Sequence, residues 1–115
     1  MRLLGSRPEV MTVELLYFNG CPSHEALLPR LGELLDEVGA RDRMRLREVG
    51  SLEEAEAEGF LGSPTVRVNG SDVEPGGDER SDFGLKCRLY RTQEGASPIP
   101  PEEWIRAALD RARMS

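Results

Sequence analysis

Residues 12–24 of the chain read TVELLYFNGCPSH, and this stretch decides the predicted fold. Residues 12–18 are almost continuously apolar, which is typical of a strand that is covered on both faces near the middle of a sheet. An Asn-Gly turn follows, and Pro22 suits the first position of a helix. Cys21 is therefore expected where a strand turns into a helix. The first N–H groups of a helix lack internal partners and carry partial positive charge, which favours a thiolate at this position.

Periodicity and turn signals predict the next elements. Apolar residues recur at helical spacing over residues 22–38, until Gly39 ends the helix. Residues 43–49 alternate as a strand with one wet face or edge, and the helical crossover favours a parallel pair with the first strand. A capping box at residues 51–54 begins a short helix that ends near Gly59.

The second half of the chain predicts two more strands and a last helix. Residues 65–68 are a strand, and residues 85–91 are expected to pair with it as a hairpin. The connection, residues 71–83, lacks periodicity and is predicted to be an extended, mobile loop. Its acidic residues indicate a solvated surface rather than a cation site. After a loop at residues 92–100, a helix begins at Pro101 and continues to the end of the apolar pattern.

Composition limits the class of protein. The chain has 115 residues, which predicts a single domain over residues 12–115 after a flexible extension, residues 1–11. A net charge of -6 disfavours binding to nucleic acid or to an anionic membrane. No apolar run approaches the roughly 20 residues that span a bilayer, and residues 1–11 lack a secretory pattern, so a cytoplasmic protein is expected.

The predicted order of elements, with Cys21-Pro22 at the first junction, resembles the thioredoxin fold. Pro29 stands at the offset where thioredoxins kink their active-site helix, and Ser63-Pro64-Thr65 is similar to the family's cis-proline loop. The resemblance implies an α/β fold with a central mixed sheet of about four strands flanked by helices. It also implies a substrate site in which Pro22 and the Ser63-Pro64-Thr65 loop lie beside Cys21.

The chain departs from the family at His24, which stands where a dithiol oxidoreductase has its second cysteine. His24 is expected one helical turn from Cys21, either as a surface residue or as a neutral imidazole that hydrogen-bonds the thiolate. Residues 84–90, together with the cysteine and proline motifs, also resemble small bacterial thioredoxin-like proteins, some of them labelled as related to alkylmercury lyase. Cys87 in this segment has three interpretations: a passive core residue, a disulfide partner of Cys21, or a soft-metal ligand. A disulfide requires Cα atoms within about 7 Å of each other.

Two functions are compatible with this pattern. In the first, Cys21 is the nucleophile of a thiol redox protein acting on a thiol or disulfide substrate, including a low-molecular-weight thiol. His24 assists it, and either Cys87 or an external thiol resolves the mixed disulfide. In the second, the fold is non-catalytic and captures a soft metal, an organomercurial or a peptide. Three scattered ligands are a weak signature of a structural metal site, so no resident metal or cofactor is predicted.

Overall fold

The central element of the fold is β1 (Val13–Tyr17), which matches the apolar strand predicted from the sequence. The computed structural model describes residues 11–114. Its main sheet has the order β2-β1-β3-β4, with β2 at Met44–Glu48, β3 at Thr65–Val68 and β4 at Ser71–Asp72. β1 pairs in parallel with β2 and antiparallel with β3, and β3 pairs antiparallel with β4. The predicted central position of β1, the edge position of β2 and their parallel pairing are confirmed.

Side chains alternate between the two faces of the sheet along β1. Both faces are covered, because apolar residues of β1 contribute to a core on each side. Val13 and Leu15 belong to a core that also contains side chains of α1 (Ser23–Glu37) and α3 (Glu102–Met114). Leu16 belongs to a second core, which includes Ala55 of α2 (Leu52–Glu58). Residues 11–114 thus form an α/β structure with three α-helices and a mixed four-stranded sheet, in agreement with the predicted class.

The structure contains two of the helix-boundary signals predicted from the sequence: the stop at Gly39 after α1 and the cap at Ser51 before α2. Gly39 follows α1 with a φ of 71°, which a glycine adopts without the penalty that a Cβ brings. At the start of α2, the side chain of Ser51 accepts a hydrogen bond from the backbone N–H of Glu54 at 3.1 Å. The Glu54 carboxylate in turn accepts from the N–H of Gly50 at 2.8 Å. The first bond satisfies an N–H group that the helix leaves unpaired, and the second attaches the residue before the cap to the first turn of the helix.

The prediction for the third strand's partner is wrong. β3 pairs with β4 rather than with residues 85–91, because Asn69 and Gly70 form a tight turn that reverses the chain at once. Their φ values are 53° and 83°, and positive φ at both positions of a two-residue loop produces the twist that hairpins need. The free edge of β3 is then occupied, so residues 85–91 have no strand to join there.

Residues 71–100 are more ordered in secondary structure than expected. The predicted loop at residues 71–83 contains β4 and a 3-10 turn at Gly77–Glu79, and Val73 within it is buried. Of the predicted strand at residues 85–91, only the end belongs to a strand, β5 (Tyr90–Thr92). β5 pairs antiparallel with β6 (Gly95–Ser97), which lies in the segment predicted to be a loop. This hairpin is a separate two-stranded sheet.

Met11 is the one residue of the predicted N-terminal extension that the structure describes. Met11 is buried in the larger core, because the apolar pattern of β1 extends back to it. Residues 1–10 lie outside the described residues. Within the described part of the chain, none of the helices has both the length and the apolar character that crossing a membrane requires.

Candidate functional site

The site begins at the junction between β1 and α1. Cys21 donates its backbone N–H to the carbonyl oxygen of Phe18 at 3.2 Å, which closes the turn after the strand. Pro22 follows as the N-cap residue, and no side chain caps the first turn of α1. The helix therefore begins with N–H groups that no side chain satisfies, and their partial positive charge lies next to Cys21. Cys21 has no solvent exposure.

The loop before β3 forms the second wall of the site. The Ser63–Pro64 peptide bond is cis, and the hydroxyl of Thr65 donates to the carbonyl oxygen of Gly62 at 2.6 Å. Ser63 and Thr65 are fully buried. The carbonyl oxygen of Ser63 lies 3.7 Å from the Cys21 sulfur, so the loop contacts the cysteine directly.

Cys87 is the partner of Cys21. The two sulfurs form a disulfide across a sequence separation of 66, and their Cα atoms lie 5.7 Å apart, within the usual range for a bridge. Among the three interpretations that the sequence left open for Cys87, the structure contains the disulfide. No free cysteine remains in the chain, which has only these two.

The backbone around Cys87 is attached to the cis-proline loop on both sides of the cysteine. Ser63 donates its N–H to the carbonyl oxygen of Lys86 at 2.8 Å, and Arg88 donates its N–H to the carbonyl oxygen of Ser63 at 2.9 Å. Residues 63 and 87 form an isolated parallel bridge. Gly62 allows this approach, because a Cβ at that position would lie 3.0 Å from both the Lys86 carbonyl oxygen and the Arg88 Cβ.

The side chain of Arg88 anchors the segment around Cys87 through its guanidinium group. It is almost fully buried and donates to both carboxylate oxygens of Asp72, at 2.8 and 3.0 Å, and to Glu74 at 2.6 Å. A further bond reaches the Thr65 hydroxyl at 2.9 Å. Burial by itself would lower the pKa of Arg88, but the hydrogen bonds to Asp72 and Glu74 outweigh burial and raise it above the ordinary value. Arg88 is therefore a permanent buried cation whose charge the two carboxylates balance.

Tyr90 completes the support of the segment. It is fully buried, its hydroxyl donates to the carbonyl oxygen of Pro64, and its ring lies 4.4 Å from the Arg88 guanidinium carbon. Burial raises the pKa of the Tyr90 hydroxyl, so this group stays a hydrogen-bond donor. The cis-proline loop is thus connected to the Cys87 segment through backbone, charge and phenol contacts.

His24 faces the backbone of Cys21 rather than its sulfur. Its ring stacks on Tyr17 with centroids 4.1 Å apart, and Nδ1 lies 3.1 Å from the Cys21 carbonyl oxygen. Since a carbonyl only accepts, this geometry requires the proton on Nδ1. The Ser23 hydroxyl is the side chain beside the sulfur, with its oxygen 3.6 Å from Cys21 Sγ. A disulfide sulfur carries no proton, so any hydrogen bond here runs from the hydroxyl to the sulfur.

The predicted site residues therefore fall into two groups. Cys21, Cys87, Ser63, Pro64 and Thr65 are brought together, whereas Pro22 is exposed at the helix start and His24 contacts the backbone. The sequence-based argument missed the cluster of Arg88, Asp72 and Glu74. The acidic residues between positions 72 and 82, together with cations at residues 80, 86 and 88, were the signal that opposite charges could pair here.

The part of the chain that the structure describes offers no ready metal site. Within residues 11–114, no group of three or more His, Cys, Asp or Glu side chains is arranged to hold a metal ion. Both thiols are consumed by the disulfide. Comparison with protein-family models, with curated proteins and with solved structures gives no significant match.

Proposed function

We propose that the protein is a thiol–disulfide redox protein with a thioredoxin-like fold, and that Cys21 and Cys87 are its redox pair. The fold proposal is supported by the sheet order and by the parallel pairing of β1 with β2 and antiparallel pairing of β3 with β4. It is also supported by a cysteine immediately before α1 and a cis-proline immediately before β3.

One observation carries the redox proposal: the disulfide joins a cysteine at a helix start to an exposed cysteine. A helix N-terminus stabilises a thiolate, so Cys21 is a good leaving group when the bridge is reduced. The exposed partner gives an exchanging thiol access to the bridge. A bridge whose only task is stability needs neither feature.

A cytoplasmic location is part of this proposal, and disulfides in that compartment are usually transient and catalytic. The distant spacing of the pair replaces the Cys-x-x-Cys arrangement that His24 interrupts. In the proposed cycle, two electrons and two protons convert the bridge into two thiols, and a substrate disulfide reverses the step. The substrate is a thiol or a disulfide.

A redox titration tests the proposal. The protein is equilibrated in buffers of defined glutathione ratio, quenched with acid, and analysed for free thiols by alkylation and mass spectrometry. The expected result is a two-electron transition at a potential between about -120 and -270 mV, the range of exchange-active pairs. Cys21→Ser and Cys87→Ser should each abolish it.

A bridge that stays oxidised until the potential falls below about -300 mV would identify a structural disulfide instead. The free energy of unfolding of the oxidised and the reduced protein is a second measurement. Because the bridge closes a long loop, with a sequence separation of 66, its reduction should lower the free energy of unfolding by about 2 to 4 kcal/mol.

A further inference from the structure

The two cysteines of the bridge are unequally open to solvent. Cys21 has no exposed surface, whereas Cys87 is exposed and lines a pocket of about 460 Å³. A thiolate that reduces a disulfide must reach one sulfur on the side opposite the bond that breaks, so the rate depends on which sulfur is accessible. The buried sulfur of Cys21 offers no such approach, and an external thiol therefore meets Cys87.

The pocket beside Cys87 carries more positive than negative charge, although the whole chain is acidic at -6. Its lining includes the cations Arg80, Lys86, Arg88 and Arg91. Three carboxylates pair with the first three of these cations: Asp72, Glu74 and Asp82. Arg91 is exposed and forms no ion pair with any side chain of residues 11–114.

The same pocket has apolar walls from Leu61, Leu89 and Ala96. Leu89 is 62% exposed, so a bound molecule would cover apolar surface that is otherwise in water. A cavity of this size suits a small molecule better than a folded partner. Excess positive charge, a partly apolar wall and an exposed disulfide cysteine together favour a small thiol with a carboxylate as the ligand.

We propose that Cys87, and not Cys21, is the sulfur that exchanges with external thiols, and that the pocket beside it binds a small carboxylate-bearing thiol through Arg91. This inference rests on the proposed function, because it assumes that the Cys21–Cys87 bridge is redox-active. It assigns Cys21 the role of the buried sulfur that leaves and returns, and so reverses the roles predicted from the sequence.

The chemical step balances in two stages. The incoming thiol loses its proton to solvent, and its thiolate attacks Cys87 Sγ. A mixed disulfide forms there, the bridge breaks, and Cys21 Sγ leaves with the bonding electron pair beside the start of α1 and the Ser23 hydroxyl. A second thiolate then attacks the small-molecule sulfur of the mixed disulfide. The products are the oxidised small disulfide and a protein with two thiols.

The first experiment identifies the sulfur that is attacked. The oxidised full-length protein is mixed briefly with glutathione, quenched in acid and digested with pepsin at low pH, where exchange stops. Mass spectrometry then locates the glutathionyl group. The expected adduct lies on the Cys87 peptide. An adduct on the Cys21 peptide would overturn the proposal and leave the redox function intact.

The second experiment tests recognition of the carboxylate. Reduction rates are compared for glutathione and its diethyl ester, at equal thiolate concentration, in the wild-type protein and in Arg91→Gln. The wild-type protein should prefer glutathione over the ester, and Arg91→Gln should reduce that preference by about two- to fivefold, the size expected for one exposed charge pair. Added salt should weaken the preference in the wild-type protein only.

Arg45→Gln is the matched control, because Arg45 is exposed on β2 and lines none of the pocket beside Cys87. It removes one positive charge from the chain and should leave the preference unchanged. Equal loss in both variants, or equal rates for glutathione and ester in the wild-type protein, would overturn carboxylate recognition. If neither thiol reduces the bridge at any concentration within the redox titration, the proposed function itself fails.

Discussion

Cys21 and Cys87 share one covalent bond, but the chain holds them by different means. Cys21 lies between two regular elements, β1 and α1, whose apolar side chains belong to the main core. Cys87 belongs to neither a helix nor a strand, and its segment is attached through two backbone hydrogen bonds to Ser63 and through the buried Arg88 side chain. Apolar packing therefore positions Cys21, whereas hydrogen bonds and buried ion pairs position Cys87.

The difference has consequences for how each position responds to change. Apolar packing is spread over many non-directional contacts, so the loss of one side chain is shared among its neighbours. A buried ion cluster has few members, and the loss of one leaves an uncompensated charge. The position of Cys87 should therefore depend on single residues to a degree that the position of Cys21 does not.

The largest expected effect comes from removing Arg88. Arg88→Met keeps an apolar stem but leaves Asp72 without its cation and Glu74 with Arg80 alone, and the Asp72 side chain is only 4% exposed. Breaking a buried pair from one side should lower the free energy of unfolding by about 3 to 5 kcal/mol. Urea denaturation of the oxidised protein measures this loss.

The matched control is Arg106→Met, which breaks the ion pair with Glu37 at the surface, where both side chains are about half exposed. Exposed pairs contribute little to stability, so this variant should lose much less than Arg88→Met. Equal and small losses in both variants would contradict the view that charge holds the Cys87 segment.

A smaller effect is expected at Gly62, where the segment approaches the cis-proline loop. Gly62 has a φ of 124°, and the Cβ of Gly62→Ala would press on the backbone of Lys86 and Arg88. An alanine in such a conformation costs about 1 to 3 kcal/mol, before any displacement of the Cys87 segment. The expected result is a lower midpoint of urea unfolding together with faster reduction of the bridge by dithiothreitol.

Gly70→Ala is the control that separates the effect of backbone strain from the effect of steric crowding. Gly70 also has a positive φ, 83°, but no atom lies within 4 Å of the Cβ that alanine would add. This variant should lose stability through strain alone and should not change the rate of reduction. Similar reduction rates in the two variants would show that close approach at Gly62 does not position Cys87.

The same contrast explains how much the sequence could predict. β1, α1 and the parallel partner β2 follow from periodicity, and the start of α2 follows from the Ser51 and Glu54 capping pair. These signals are local, and each is readable within a window of a few residues. The Cys21 side of the site was predictable for this reason.

The Cys87 side was predictable only as one of several alternatives, because its contacts join residues that are distant in sequence and follow no period. Arg88 pairs with Asp72, 16 residues away, and its neighbour Cys87 bonds a cysteine 66 residues away. The error at residues 85–91 also had a local cause. The Asn69-Gly70 pair is a strong hairpin signal, and it predicts that β3 turns back immediately rather than after a long loop.

The smallest expected effect concerns Tyr90, which supports the Cys87 side without charge. Its pKa in the folded protein is raised above the ordinary value of 10.0 by burial. Below about pH 10 both the folded and the unfolded chain keep the phenol proton, so the contribution of Tyr90 to stability is complete. Above that pH the unfolded chain releases a proton that the folded chain retains, and the free energy of unfolding should fall by about 1.4 kcal/mol per pH unit.

Urea denaturation of the oxidised protein between about pH 9 and pH 11 measures this slope. Tyr90→Phe loses the hydrogen bond to the Pro64 carbonyl, so it should be less stable than wild type by about 1 kcal/mol near neutral pH. Its stability should nevertheless change little in the alkaline range, because the titrating group is gone. Tyr17→Phe, at the half-buried ring that stacks on His24, is the matched control for the removal of one phenol. If Tyr90→Phe shows the full alkaline slope, another group produces it, and the phenol contact is not what couples the cis-proline loop to the Cys87 segment.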